Sequence, residues 1–317
     1  MEYRKLGTSG LQVSVVGLGT WAIGGDFFGA VDDAESIRAI EAAVDEGINL
    51  IDTAPAYGAG HSETVVGEAL AQIRGEKPLV ATKVGVLRTG GGFERNLKPE
   101  SVRQEIDDSL RRLGVDVIDL YQIHWPDPNT PLEQTLAELK RIHEAGKFRY
   151  LGVSNFSPEQ IDECLKVLPV VSVQPHYSLL ERAIESDLLP YCRRQSIGSL
   201  GYGTFAGGIL TGKFRERPNL EPGDDRDKFY RWFSEKSWDK VQQLLDVLRE
   251  IASARDVSVA EVSRNWAIRE NGGVTVALVG AKNEKQARAN ARGTEWTLTT
   301  DELDRLERAY AETVGGV

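Results

Sequence analysis

Cysteine is nearly absent: Cys164 and Cys192 are the only two in 317 residues. That number excludes a disulfide framework, and the two lack metal-ligand spacing, so no metal is expected. Each falls in a stretch that reads as helix, where a free thiol behaves as a small buried hydrophobe. Long apolar runs are missing as well. The leading MEYRKLGTSGLQ has no hydrophobic signal core, and no window approaches the ~18 apolar residues that span a bilayer, so the expectation is a cytoplasmic chain without a membrane partner. Basic residues are in deficit, 38 Lys and Arg against 48 Asp and Glu, for a net charge of −10. Phosphate backbones reward the opposite balance, so nucleic acid is not an expected partner. What remains is 41% hydrophobic and 27% charged, enough apolar material for a large core.

Periodicity divides that material into alternating strands and helices. Glu2 to Val13 reads as a hairpin turning at Thr8-Ser9-Gly10, placed to plug a barrel floor, and runs into the apolar stretch from Val13 to Gly19. Helices are expected over Asp33–Asp45, Ser62–Ile73, Pro99–Leu113, Pro131–Ala145, Pro158–Val167, Ile184–Gln195, Trp238–Ala254 and Val259–Glu270. Between them lie the strands Asn49–Thr53, Leu79–Lys83, Val117–His124, Tyr150–Ser154, Val171–Gln174, Ser199–Tyr202 and Val274–Val279. Ser62 before Glu63, Ser157-Pro158, Gly114 and Gly146 carry capping chemistry. Strands separated by helices are parallel with right-handed crossovers, which leaves a doubly wound sheet or a (β/α)₈ barrel. Eight similar units without a linker favour the barrel, as one domain over residues 1–317. A polar insertion from Gly207 to Ser237 follows the seventh strand, its aromatic Phe229, Tyr230, Trp232 and Phe233 suggesting packing, and a helix from Thr299 to Ala311 closes the chain.

In such a barrel the active site lies at the C-terminal ends of the strands. Asp52, Lys83 and His124 end the second, third and fourth strands, and Tyr57 follows in the loop after the second. An acid, an amine, an imidazole and a phenol at one rim suggest proton transfer to a carbonyl. A phenol of pKa ~10 needs a neighbouring cation to act as an acid, which Lys83 supplies. Asp52 would anchor Lys83, and His124 would orient the substrate oxygen. Taken singly, each residue is more simply an interior ion pair, a core histidine or a loop aromatic. All four together make that reading the weaker one. Gly17-Leu-Gly-Thr-Trp-Ala22 approximates the dinucleotide fingerprint, but a loop rather than a helix follows it, so a Rossmann site is rejected.

The motifs Gly17-Leu-Gly-Thr-Trp21, Asp52-Thr-Ala-Pro-Ala-Tyr57-Gly, Lys83, Asp119-Leu-Tyr-Gln-Ile-His124, Gly152-Val-Ser-Asn-Phe156, Gln174 and Leu210-Thr-Gly-Lys213 resemble the aldo-keto reductase superfamily throughout the chain. Within it, Asp119 to Pro128 and Trp21-Ala-Ile-Gly-Gly are similar to the bacterial general-stress-protein and inositol-cluster reductases. The resemblance implies a (β/α)₈ barrel with NADPH across its rim and Tyr57 as proton donor in the tetrad with Asp52, Lys83 and His124. It also implies Ser154, Asn155 and Gln174 on the nicotinamide carboxamide, Tyr202 stacked on its ring, and Gly203, Thr204, Phe205 and Lys213 at the pyrophosphate. Gly280, Lys282, Gln286 and Asn290 would hold the adenosine end, with Lys285 and Arg288 adding charge, which favours NADPH over NADH. Gly207 and Lys282 stand where relatives commonly carry arginine.

Trp21, Phe27 and Trp125 are expected to wall the substrate side, with Trp232 a further aromatic of the rim. Arg226, Lys228 and Arg231 could meet an anionic substrate, although a solvated loop is the simpler reading. The leading expectation is NADPH-dependent reduction of an aldehyde or ketone, sugar-derived ones included. The alternative is a cofactor-sensing regulatory subunit of slow turnover, like the potassium-channel beta subunits that resemble the same superfamily.

Overall fold

The computed structural model describes residues 1–25, 27–90 and 92–316. Two antiparallel strands, β1 (Tyr3–Lys5) and β2 (Gln12–Ser14), open the chain. The barrel begins with β3 (Val16–Gly19), β4 (Leu50–Asp52) and β5 (Leu79–Val84). A second hairpin, β6 (Val86–Thr89) and β7 (Gly92–Arg95), follows at the rim. The barrel resumes with β8 (Ile118–Ile123), β9 (Phe148–Ser154), β10 (Val170–Gln174), β11 (Gly198–Gly201) and β12 (Val276–Gly280). The strands β3, β4, β5, β8, β9, β10, β11 and β12 pair in parallel and close on themselves. No helix among the described residues is long and apolar enough to cross a membrane.

Both faces of these strands are covered, as their continuous apolar sequences require. Inward, Leu50, Ala81, Leu120, Leu200 and Leu278 meet Leu6 and Val13 of the first hairpin, which plugs the floor. Outward, Ile51, Val80, Tyr121, Val153 and Val173 lie beneath the helices. Tyr150 Oη donates to Ser9 O at 2.9 Å, tying the barrel to the plug's turn. The apolar run from Val13 to Gly19 is therefore shared, its start in the hairpin and its end in the barrel, with the division at Val15.

The helices are α1 (Asp33–Asp45), α2 (His61–Gln72), α3 (Pro99–Leu113), α4 (Leu132–Glu144), α5 (Pro158–Leu165), α6 (Leu188–Gln195), α7 (Arg226–Phe229), α8 (Glu235–Arg255), α9 (Val259–Ala267), α10 (Glu284–Ala291) and α11 (Thr300–Thr313). Capping explains several ends. Ser157 with Gln160, Ser258 with Glu261 and Thr299 with Glu302 form reciprocal capping boxes, and Gly114 closes α3 in a left-handed conformation. Ser62 is not a cap. Gly60 precedes α2, and Ser62 Oγ instead donates to Thr20 Oγ1 at 2.7 Å, joining the first turn of α2 to the loop after β3. The sixth helix starts later than its apolar pattern suggests, because Asp187 accepts from Leu188 N and leaves only a 3₁₀ turn at Ala183–Glu185.

The insertion after β11 is ordered by its aromatics. Tyr230, Trp232, Phe233 and Trp238 share a cluster with the inner faces of α8, α9 and α11. Trp232 is fully buried and its Nε1 donates to Glu181 Oε1 at 2.6 Å, so it does not belong to the rim. Cys164 and Cys192 are buried, and burial pushes both thiols up to about 12, which removes them from thiolate chemistry at neutral pH.

Candidate active site

Strand alternation brings six polar side chains to one end of the barrel. Asp52, Ser154 and Gln174 are the last residues of β4, β9 and β10, Lys83 is the penultimate residue of β5, and Gln122 and His124 share a face at the end of β8. Tyr57 reaches them from the loop because Gly58, Ala59 and Gly60 all have positive φ (61°, 53° and 94°) and turn the chain immediately behind it. Such backbone is unusual for alanine. Phe27, Asn155 and Ala206, with φ of 61°, 60° and 46°, add further left-handed residues around the same opening.

Lys83 is fully buried, and each of its three ammonium hydrogens has an acceptor. Nζ lies 2.7 Å from Asp52 Oδ1, 2.9 Å from Thr53 O and 3.2 Å from Tyr57 Oη. The remaining Asp52 oxygen, Oδ2, accepts from Gln174 Nε2 at 2.7 Å and Gln122 Nε2 at 3.0 Å. Because the lysine donates to the Tyr57 oxygen, the phenolic hydrogen is left to point elsewhere. Asn155 Nδ2 donates to His124 O at 3.1 Å and to Ser154 Oγ at 3.0 Å, and Tyr202 Oη donates to Asn155 Oδ1 at 3.0 Å. The Tyr57 and His124 rings meet edge to face, 6.0 Å between centres.

Burial and charge set the protonation states. Burial alone would lower the Lys83 pKa, but Asp52 and Tyr57 outweigh it and the ammonium is held above its ordinary value. Burial raises the Tyr57 phenol, with Lys83 opposing. His124 is driven well below its ordinary value, by burial first and by Lys83 second, so it is neutral at physiological pH and retains one N–H.

A cavity of about 770 Å³ runs from this cluster along the rim. Tyr57, His124, Trp21, Phe27 and Trp125 line the end above Lys83. Trp21 lies within ring-contact distance of Phe27, Phe28, Tyr57 and Phe229, an aromatic wall built from three loops. Ser154, Asn155, Gln174 and Tyr202 line the middle. One face of Tyr202 is covered by His176, its ring centre 5.0 Å away and its plane nearly parallel at 6°. Gly203, Thr204, Phe205, Lys213, Gly280, Lys282, Gln286 and Asn290 line the far end, so all of these expected site residues meet one cavity, with Lys83 directly beneath it.

The far end fits the phosphates of a dinucleotide. Lys213, Arg226 and Lys282 gather there, and burial together with the other two cations depresses the Lys213 pKa. Asp224 binds Arg226 through both oxygens at 2.8 and 2.6 Å, leaving the cluster net positive. Arg226 Nη1 donates to Gly207 O at 2.7 Å, so an arginine does reach position 207, from the insertion. Gly207 itself has no room for a longer side chain, since a Cβ there would lie 2.8 Å from the Tyr230 ring. Arg288 points away, to Glu284 and Glu46, and Lys228 pairs with Asp225, so neither supplies free charge here.

Several lining residues were missed in the sequence. Val86, Phe93 and Arg95 come from the second hairpin, signalled by two short runs around three glycines at 90–92. Gln122, which lies beneath the cavity on Asp52, was also missed and was signalled by its place two residues before His124 on a strand.

The Aldo/keto reductase family model matches residues 15–311. The chain is 39% identical to the aldo-keto reductase YhdN of Bacillus subtilis (strain 168), covering 99% of this chain and 95% of that one. It is 35% identical to the NADH-specific methylglyoxal reductase of Escherichia coli (strain K12), over 98% and 99% of the two chains. Among solved structures, the glycerol dehydrogenase of Gluconobacter oxydans superposes with a TM-score of 0.89 at 41% identity, covering 98% of this chain and 96% of that one.

Proposed function

The chain belongs to the aldo/keto reductase family, and from that premise we propose that it reduces an aldehyde or ketone, sugar-derived ones included, to the alcohol with NADPH. The observation that carries this reading is the saturated Lys83 ammonium, which donates to Tyr57 Oη while Asp52 and Thr53 hold it in place. Reduced nicotinamide, when bound, would supply the hydride for the carbonyl carbon. The chain's own residues supply the proton and its control. Tyr57 gives its phenolic hydrogen to the carbonyl oxygen, and Lys83 stabilises the phenolate left behind. His124, neutral, donates its N–H to the same oxygen and fixes its direction. Aromatic side chains around Trp21 exclude water from that proton transfer.

The cations Lys213, Arg226 and Lys282 support NADPH over NADH, since an extra phosphate is the group such a cluster rewards. Ser154, Asn155 and the free Oε1 of Gln174 are the candidate partners of the carboxamide, with Tyr202 as the ring platform. Tyr57→Phe tests the reading. It should lower kcat for carbonyl reduction by about 10²–10⁴-fold while NADPH still binds with its native Kd in a fluorescence titration. Near-native turnover by that variant would remove Tyr57 as the acid.

A further inference from the structure

The catalytic end of the cavity contains a cation that the proton transfer leaves unused. Arg95 ends β7, and its guanidinium lies over the Trp125 ring, 4.8 Å from the centre. Nη1 donates to Pro126 O at 3.3 Å. Arg95 lines the same cavity as Tyr57, His124 and Trp125, and no carboxylate among the described residues lies within ion-pair distance of it. The other cavity arginine, Arg226, is paired with both oxygens of Asp224 at the far end. Among the described residues, the only carboxylate lining the cavity is Asp52, which Lys83 already balances. In a chain of net charge −10, a guanidinium at the exposed mouth of this cavity, without a carboxylate partner among the described residues, stands against the overall balance.

Its placement is built rather than incidental. Asp127, two residues after Trp125, accepts from Leu97 N at 3.1 Å through Oδ2, and Asn96 N donates to Gly85 O at 3.0 Å. The first bond pins the base of the hairpin to the loop that carries Trp125, and the second closes the hairpin across its own two ends. The indole face beneath the guanidinium holds its plane, and the planar fork is the geometry that meets a carboxylate or phosphate through two hydrogen bonds. Phe93 and Phe27, stacked at 5.8 Å, give the same hairpin an aromatic bridge to the loop after β3.

We propose that Arg95 recognises an anionic group, a carboxylate or a phosphate ester, on the carbonyl substrate, so that the preferred substrates are acidic aldehydes or ketones. This rests on the carbonyl-reduction reading. It assigns Arg95 to substrate and leaves Lys213, Arg226 and Lys282 to the cofactor.

Two matched pairs test it, butanal against succinic semialdehyde and glyceraldehyde against glyceraldehyde 3-phosphate, with wild type and Arg95→Gln. Wild type should favour the charged member of at least one pair in kcat/KM, and which pair responds identifies carboxylate or phosphate as the group read. Arg95→Gln should lower that charged-to-neutral ratio by about 10–100-fold, mostly through KM, as loss of a charge-assisted hydrogen bond predicts. An unchanged ratio, or no preference in wild type, overturns the proposal. Calorimetric titration of the same compounds into the NADP⁺-bound protein reads binding without turnover. Selective binding that Arg95→Gln abolishes, in a protein that reduces nothing, would keep Arg95 as an anion reader and defeat the reductase reading. Reduction of aldehydes with no effect of Arg95→Gln on either measurement would do the reverse.

Discussion

Gln174 Nε2 donates to Asp52 Oδ2 at 2.7 Å, across 122 positions of the chain. Together with Gln122 it gives the Asp52 carboxylate two amide donors on one oxygen, while Lys83 takes the other. The aspartate is therefore oriented from three barrel strands. Gln174 itself, expected on the nicotinamide carboxamide, has its amide nitrogen committed beneath the cavity, which leaves its carbonyl oxygen as the available group.

Removing one member of this buried pair should cost far more than removing both charges. Lys83→Met leaves Asp52 buried without a counter-charge, and about 3–5 kcal/mol of stability should be lost. Adding Asp52→Asn should recover at least about half of that in urea unfolding, while carbonyl reduction stays absent. A double variant no more stable than Lys83→Met would contradict charge burial as the cause.

The pH profile of reduction follows from the same cluster. His124 is held well below its ordinary 6.5, Tyr57 above 10.0 and Lys83 above 10.5. None of the three changes charge between these limits, so kcat/KM should be flat from pH 7 to 9. An inflection inside that window that disappears in His124→Asn would show that the imidazole titrates there.

Glu105, on α3, predicts a pH effect on stability rather than activity. Burial raises its carboxyl from 4.5 to about 7, against the opposing bonds from Gly85 N and Ser101 Oγ. Between those values the folded protein keeps a proton that the unfolded chain has released, so stability falls as pH rises through the window. The full difference is about 3 kcal/mol. Glu105→Gln cannot ionise, so its urea midpoint should decline less than that of wild type between pH 5 and pH 8. Parallel declines would place the Glu105 pKa near its ordinary value.

Cofactor preference should depend on Lys282, a half-buried residue that lines the far end of the cavity and donates to Phe28 O. Lys282→Ala should raise the KM for NADPH by about 10–100-fold and that for NADH much less. Equal effects on both would assign the lysine to holding the loop at Phe28 instead.

The sequence by itself determined the barrel and the placing of Asp52, Lys83 and His124 at its rim. Period-two and period-3.6 patterns report which side of an element is apolar, and in a parallel barrel the C-terminal ends of the strands share one rim whatever the loops do. Asp52, Lys83 and His124 were legible for that reason. The cap at Ser157 was local chemistry and equally readable, whereas Ser62 was misleading because its hydroxyl is used across a loop on Thr20. Only the tertiary structure decided which of the loop residues reach the cavity. It put Trp232 in the core, brought Arg226 to Gly207, gave Asp52 its amide donors Gln122 and Gln174, and set Arg95 over Trp125. These contacts join residues up to 122 positions apart through closure of the barrel and left-handed turns at its rim, and no local periodicity records them.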